Sequence, residues 1–381
     1  MEERASMQDA RAGLADIARE FLRLGFVAFG GPPVHFAMME ERFVREKKWL
    51  SRKRFLDLLG AVNLLPGPSS TELTIYLGEV RAGLAGLVVA GICFILPSAM
   101  MVAALAWAYE KFGKLPQVEG LLFGIKPVVV ALILPALWNL AKVALKNAGL
   151  VMLAVGVILL AVLGLNVITL LICAGVFWML VSGARHESKL EAIAAPGFGV
   201  LAAGGAAGLL PVFLYFLKIG AVVFGSGYVL LAVLRADLVS RLHWLTDAQL
   251  LDAIAVSQAT PGPYFTVSTF IGYLLGGWKG AALATLGMFL PAFVFVGVTA
   301  KFLTRIRKSP IAGAFLDGVN AAAVALMAEV SFQFARAALV NVPAVVLGVV
   351  SLVLVSRFRV NSAWLVLGGA LAGILLQVFH S

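Results

Sequence analysis

"NLLPGPSSTE" (residues 63–72) interrupts a stretch that is apolar on both sides, and does so with two prolines, a glycine, an asparagine, two serines, a threonine and a glutamate. The same kind of interruption returns as "SQATPGPYFT" (257–266). Proline removes a backbone donor and ends a helix, and glycine admits dihedrals and close approaches that other residues do not. Pro66-Gly67-Pro68 and Pro261-Gly262-Pro263 therefore each split a segment into two half-helices. At membrane depth such backbone is tolerated only where it is buried in protein or lines a wet cavity.

Membrane depth is the setting that the rest of the chain implies. Of 381 residues, 61% are hydrophobic and 13% charged, against about 25% charged in soluble domains; the mean hydropathy is +0.98. Long apolar runs recur at 85–108, 148–165, 167–183, 279–300 and 342–356. A helical span needs about 20 apolar residues, and the ten-residue alternation of outer-membrane strands is absent from the sequence. The predicted fold class is an all-α integral membrane protein. Residues 1–20 are of mixed charge and do not read as a cleavable signal. Cys93 and Cys173 lie inside apolar runs and read as packing residues. His35, His186, His243 and His380 share no ligand spacing, so neither a metal nor a cofactor is expected. The net charge of +10 reads as the loop lysine and arginine of the positive-inside rule. The expected partner is the lipid bilayer, with no nucleic acid.

The chain is written twice. "FLRLGFVAFGG" (21–31) recurs as "FLKIGAVVFGS" (216–226), an offset of 195. At that offset Trp49 meets Trp244, Asp57 meets Asp252, Asn63 meets Gln258, and the two Pro-Gly-Pro turns coincide. After a one-residue gap "FILP" (94–97) matches "MFLP" (288–291), and "GIKPVVVAL" (124–132) matches "GVNAAAVAL" (318–326). The expected organisation is a first repeat over 1–182, a linker with an unpaired transmembrane helix over 183–215, and a second repeat over 216–381. Six hydrophobic elements per repeat, near 21–40, 58–80, 85–108, 117–141, 148–165 and 167–183 in the first, plus the unpaired one make about thirteen. Six is even and one crossing follows, so the second repeat enters from the opposite side.

Loop charges agree with inverted-topology repeats. Residues 41–54 hold seven Lys/Arg, their counterpart 235–247 two. The bias reverses at the next pair, two lysines in 110–114 against four Lys/Arg in 301–308. The positive-inside rule then puts 41–54 and 301–308 in the cytoplasm. An odd number of crossings must separate 41–54 from 110–114, which makes the broken 58–80 element a re-entrant hairpin rather than a full crossing.

A half-helix that starts at a break presents free N–H groups and the positive end of its dipole, and such ends bind anions. Ser69, Ser70 and Thr71 add hydroxyls in the first turn, as do Tyr264 and Thr266 in the second copy. "FGGPP" (29–33), with Gly30 and Gly31, and "FGSG" (224–227), with Gly225 and Ser226, read as a second pair of breaks. Arg23 and Lys218 lie seven residues upstream, two turns away on the same face. These residues, with Asn63, Gln258 and Lys126, make a site of donors and cations suited to a small oxyanion. Other readings stand beside this one: a tolerated kink at Pro-Gly-Pro, snorkelling interface cations at Arg23 and Lys218, interhelical hydrogen bonds for Asn63 and Gln258. Glu72 has no partner in the second copy, where Val267 stands; an intramembrane carboxylate is a functional candidate, here for proton coupling.

The pairing of "FGGP" and "PGP" in the first copy with "FGSG" and "PGP" in the second resembles the chromate ion transporter (CHR) family, long-chain two-domain type, over about residues 18–379. The resemblance implies about thirteen segments in oppositely oriented halves, located in the bacterial inner membrane, and export of chromate that confers resistance, with sulfate as competitor. Gly227 and Tyr228 in place of Pro32 and Pro33 put an equal division of labour between the halves in doubt. No P-loop, Ser/His pair or H-E-x-x-H pattern is present, so the drive is an ion gradient, the membrane potential or exchange, and no enzyme is expected. A channel or exchanger for another inorganic anion such as sulfate is the alternative. The oligomeric state stays open, a homodimer included.

Overall fold

The computed structural model describes residues 2–62, 65–113, 115–183, 208–223, 229–300, 310–358, 360 and 362–380. Fourteen α-helices lie among them, in two matching series. The first is α1 (Glu2–Val27), α2 (Pro32–Met39) continued by a π-helical segment (Glu40–Glu46), α3 (Arg52–Val62), α4 (Ser69–Phe112), α5 (Pro116–Ala144), α6 (Ala148–Val162) and α7 (Val167–Gly183). The second is α8 (Leu209–Val222), α9 (Val229–Leu234) continued by a π-helical segment (Arg235–Arg241), α10 (Asp247–Ala259), α11 (Val267–Thr299), α12 (Pro310–Ala338), α13 (Val342–Arg357) and α14 (Ser362–His380). The starts are written in the sequence. Asn147 and Asn341 cap α6 and α13 by accepting from the amides of Leu150 and Ala344, both at 3.0 Å, and Thr246 with Gln249 forms a capping box on α10. Helices α4, α5, α11 and α12 are long and apolar enough to cross a membrane; α6, α7, α13 and α14 are shorter apolar helices.

Helix α4 is two arms. Ala82 and Gly83 leave helical dihedrals, and the chain folds back on itself. Gly78 and Gly86 then face each other so closely that a Cβ on either would stand 2.3 or 2.1 Å from the other's carbonyl oxygen. Helix α11 repeats the device at Gly276 and Gly277. Its arms are joined by a 2.7 Å hydrogen bond between the hydroxyls of Thr269 and Thr285. Small residues on facing sides allow this approach.

Side-chain contacts fix which end of the bundle each turn reaches. At one end, here the near end, Arg42 bridges to Glu20 at 2.6 Å and to Glu46, and Lys47 meets Asp16 at 2.9 Å. Trp49 stacks on Phe43 at 4.5 Å, and the Arg81 guanidinium lies 5.7 Å from the Trp49 ring. So α1 runs inward from the near end and the chain returns to it through α2. Likewise α3 runs inward and the first arm of α4 (69–81) returns. The 58–80 element is re-entrant, as its charge parity predicts. The 21–40 element, expected as one of the broken helices, is re-entrant too, because Gly30 and Gly31 turn the chain through positive φ. The second arm of α4 (83–112) makes the first full crossing.

The second copy is upside down. Trp244 packs on Tyr215 at 6.1 Å, and Gly276, at the α11 turn, faces Leu209 at the start of α8. The second arm of α11 ends at Thr299, whose hydroxyl meets that of Tyr76 at 2.5 Å near the first copy's turn. The two copies also exchange helices. Helix α5 packs on α13 and α14, while α12 packs on α6 and α7. Glycines make these contacts close: Gly124 against Gly369 and Gly373, Gly175 and Gly318 against each other's helix. Leu84, Val88 and Ile92 on α4 and Met152 and Leu159 on α6 remain exposed, the apolar exterior of a bundle that faces lipid. Of the linker and unpaired helix expected over 183–215, residues 184–207 are outside the described residues, and Leu209 onward belongs to α8.

Candidate functional site

The two Pro-Gly-Pro turns meet the opposite copy at mid-bundle. Gly67 donates its amide to the carbonyl of Val223, at the end of α8, at 2.8 Å; Gly262 donates to Ala28, at the end of α1, at 2.9 Å. Both glycines have positive φ, 131° and 95°, which a side chain would strain. The last carbonyls of a helix have no partner inside it, so each first helix is capped by the break of the other copy. Neither copy closes the site alone.

A crevice with a free volume of about 10 Å³ lies where the first copy's Gly30-Gly31 turn meets the second copy's Pro-Gly-Pro turn, lined by Gly30, Gly31 and Pro32 from the first copy and Ser257, Gln258, Thr260, Gly262 and Tyr264 from the second. That is about the space one water occupies. Gln258 Nε2 is buried there without a hydrogen-bond partner among the described residues. The crevice is thus too small for anything larger than a water.

The half-helix starts differ. Helix α4 begins after Pro68, whose carbonyl accepts from the amides of Thr71 and Glu72 at 2.8 and 3.0 Å. Ser70, Thr71 and Glu72 are all buried. The Thr71 hydroxyl and both Glu72 carboxylate oxygens lack hydrogen-bond partners among the described residues. Glu72 leans on the turn itself: a Cβ on Gly67 would stand 2.8 Å from its Oε1. In the second copy the Thr266 hydroxyl donates to the Pro263 carbonyl at 2.8 Å and pairs with Ser98 of the first copy at 3.0 Å. Ala292 stands where Ser98 does in the other series, so that partner is not repeated for Thr71.

Of the residues expected at the site, Gly30, Gly31, Gln258, Gly262 and Tyr264 line the crevice. Pro261, Pro263 and Thr266 belong to the same turn, and Pro66, Gly67, Pro68, Ser69, Ser70 and Thr71 form the other. Asn63, Gly225 and Ser226 lie outside the described residues. Arg23 is exposed on α1 and Lys218 is half-buried beside Asp237; neither lines the crevice, and the exposure of Arg23 suits an interface anchor. Lys126 is engaged by Asp252 at 3.3 Å. Sequence reasoning passed over Ser98, Ser257, Thr260 and His35. The buried His35 places Nε2 3.0 Å from the Ala28 carbonyl, the acceptor that Gly262 also uses. The signal for Ser98 and His35 is a mismatch between copies, with Ala292 and Leu230 at the corresponding positions.

Inverted repeats whose interrupted helices meet at mid-bundle define a multi-pass membrane transporter. The profile of the chromate transporter family matches residues 15–179 and 210–374, and the chain belongs to that family. It is 33% identical over 376 residues to a chromate transport protein of Cupriavidus metallidurans, covering 95% of this chain and 93% of the relative. A probable chromate transport protein of Synechococcus elongatus is 30% identical over 352 residues, 89% of each chain. A chromate transport protein of Pseudomonas aeruginosa is 32% identical over 379 residues, 93% of this chain and 91% of the relative. No solved structure matches the chain.

Proposed function

We propose that the protein is a secondary transporter that exports chromate and sulfate-like oxyanions across the bacterial plasma membrane and so confers chromate resistance. The observation that carries this reading is the pair of crossed hydrogen bonds, Gly67 to Val223 and Gly262 to Ala28, which set a half-helix start of each copy against the end of the other copy's first helix. Those starts offer N–H donors and positive dipole ends, and with the Gln258 amide they receive a small anion without a ring of fixed cations. Neutral donors bind weakly enough to release. The names of the relatives supply the anion. A crevice of about 10 Å³ favours alternating access over a standing channel.

The near end is cytoplasmic in this reading, because 41–54 carries seven Lys/Arg. Glu72, buried beside the first break without a hydrogen-bond partner among the described residues, is the group that couples flux to protons. The test is chromate and sulfate flux in proteoliposomes under imposed pH and voltage gradients. Saturable flux with mutual competition supports the reading; no saturable flux of either anion refutes it. Orientation is checked separately with an impermeant thiol reagent on intact cells, which should modify Ser240→Cys and spare Ser51→Cys.

A further inference from the structure

Toward the far end from the crevice, three elements meet at a buried charge. Asp252 lies on α10, the arm that leads into the second Pro-Gly-Pro turn, and retains 3% of its surface. Its Oδ1 stands 3.3 Å from Lys126 Nζ on α5, and its Oδ2 accepts from the Tyr109 hydroxyl, near the end of α4, at 3.0 Å. Two elements of the first copy thus grip the re-entrant arm of the second. The set is not repeated, since Asn320 takes the place of Lys126 in the other series.

The grip is uneven. Asp252 keeps 4% of its side-chain surface and Lys126 keeps 22%, so the lysine side chain retains an exposed part where the carboxylate has almost none. An ammonium carries three donors, and Asp252 takes up one side of it. Gln258, in the crevice, is six residues further along α10, about 9 Å by helical rise. The Lys126 ammonium, beside Asp252, therefore lies on the far-end side of the crevice.

We propose that Lys126 is a second anion-binding residue, on the far-end side of the crevice, which Asp252 and Tyr109 hold in place and which a small oxyanion dianion engages as it leaves. The inference rests on the reading of the protein as an oxyanion transporter. A lone, partly buried lysine would hold a dianion tightly, since separating them leaves a charge without its counterion. Asp252 supplies the replacement partner and repels the anion, so the engagement is brief and release is fast.

The test uses the full chain in proteoliposomes, with sulfate and chromate as probes and thermal melting in detergent as the control for folding. Lys126→Gln should raise KM for both anions at least about tenfold, the scale of one charge-assisted hydrogen bond. Asp252→Asn should lower KM and slow turnover together, as expected when the competitor is removed. Removing one partner of a buried pair can itself unfold a protein, so the deciding variant is the double Lys126→Gln/Asp252→Asn, which leaves no charge unpaired. It should melt near the parent temperature and keep the raised KM. Parental KM and turnover in the double variant would overturn the inference, because a pair that only holds helices together is replaceable by a neutral one. A parent protein without saturable flux would overturn the transport reading and this inference with it.

Discussion

The first and second Pro-Gly-Pro turns have the same backbone and different side-chain chemistry. Both glycine amides cap the other copy's first helix, at 2.8 and 2.9 Å. Beyond that the second turn is satisfied, with Thr266 bonded to Ser98 and to its own turn, and it faces the crevice. The first is unsatisfied, with Thr71 and Glu72 buried and lacking hydrogen-bond partners among the described residues. The helix start that could receive an anion in the first copy already holds a carboxylate of its own. Duplication preserved the scaffold, and the two sites diverged on it. The ion pairs at the two ends tell the same story with signs exchanged. Glu40–Arg52 at the near end corresponds to Arg235–Asp247 at the far end, at 3.0 and 2.7 Å. Arg42–Glu46 corresponds to Asp237–Arg241. The pairing persisted because it pins the re-entrant hairpin, whichever side carries the charge.

The largest effect expected is on what the two turns share. Replacing Pro66-Gly67-Pro68 or Pro261-Gly262-Pro263 with alanines lets the helix run through and removes both the donors and the crossed cap. Each triple variant alone should abolish chromate flux and sulfate competition while inserting normally. Parental transport by either would show that the site belongs to one copy. Next comes what they do not share. Glu72→Gln keeps the shape and removes the proton site, so flux should persist and lose its pH dependence; an unchanged pH profile would make Glu72 structural. A smaller effect tests the hydroxyl pair. Ser98→Ala makes the second turn resemble the first and should cost about 1 kcal/mol, about fivefold in flux. Ala292→Ser, which offers the first turn the partner that the second has, should have an effect no larger.

The smallest effect concerns the near end. The Arg42 guanidinium, ahead of Lys47, holds the Glu20 carboxyl below its ordinary value of 4.5, and Asp16 and Glu20 hold the Lys47 ammonium above its own. A carboxylate whose pKa is lowered by folding stabilises above its unfolded value, and that contribution is lost as pH falls through the folded value. Thermal stability should therefore decline below about pH 4.5, and Glu20→Gln should lower the melting temperature by a few degrees at neutral pH and flatten that decline. Arg42 and Lys47 are each about 30% exposed, which keeps the effect small.

Much of this was legible from the chain. The broken segments, the duplication, the inversion and the re-entrant turn at 58–80 follow from prolines and glycines at matched offsets and from opposed loop charges. The lining of the crevice was legible in part, since Gly30, Gly31 and Gly262 were read as breaks in helices at membrane depth and Gln258 and Tyr264 as polar donors beside them. Lys126 was read among the cations of the site without its partner Asp252, because that acidic residue lies 126 residues away on a helix of the other copy.

The sequence by itself determined that this is a duplicated, helical membrane protein with interrupted helices, because hydropathy, chain breaks and loop charge are local properties that need no neighbour. Only the tertiary structure decided that α5 and α12 are exchanged between copies, that Ser98 completes Thr266 and nothing comparable among the described residues completes Thr71, and that the break of each copy caps the first helix of the other. Those facts depend on which surfaces meet. In an apolar bundle, glycine contacts, the exchange of helices and the need of each helix-end carbonyl for a donor settle that across distances that no spacing in the chain records.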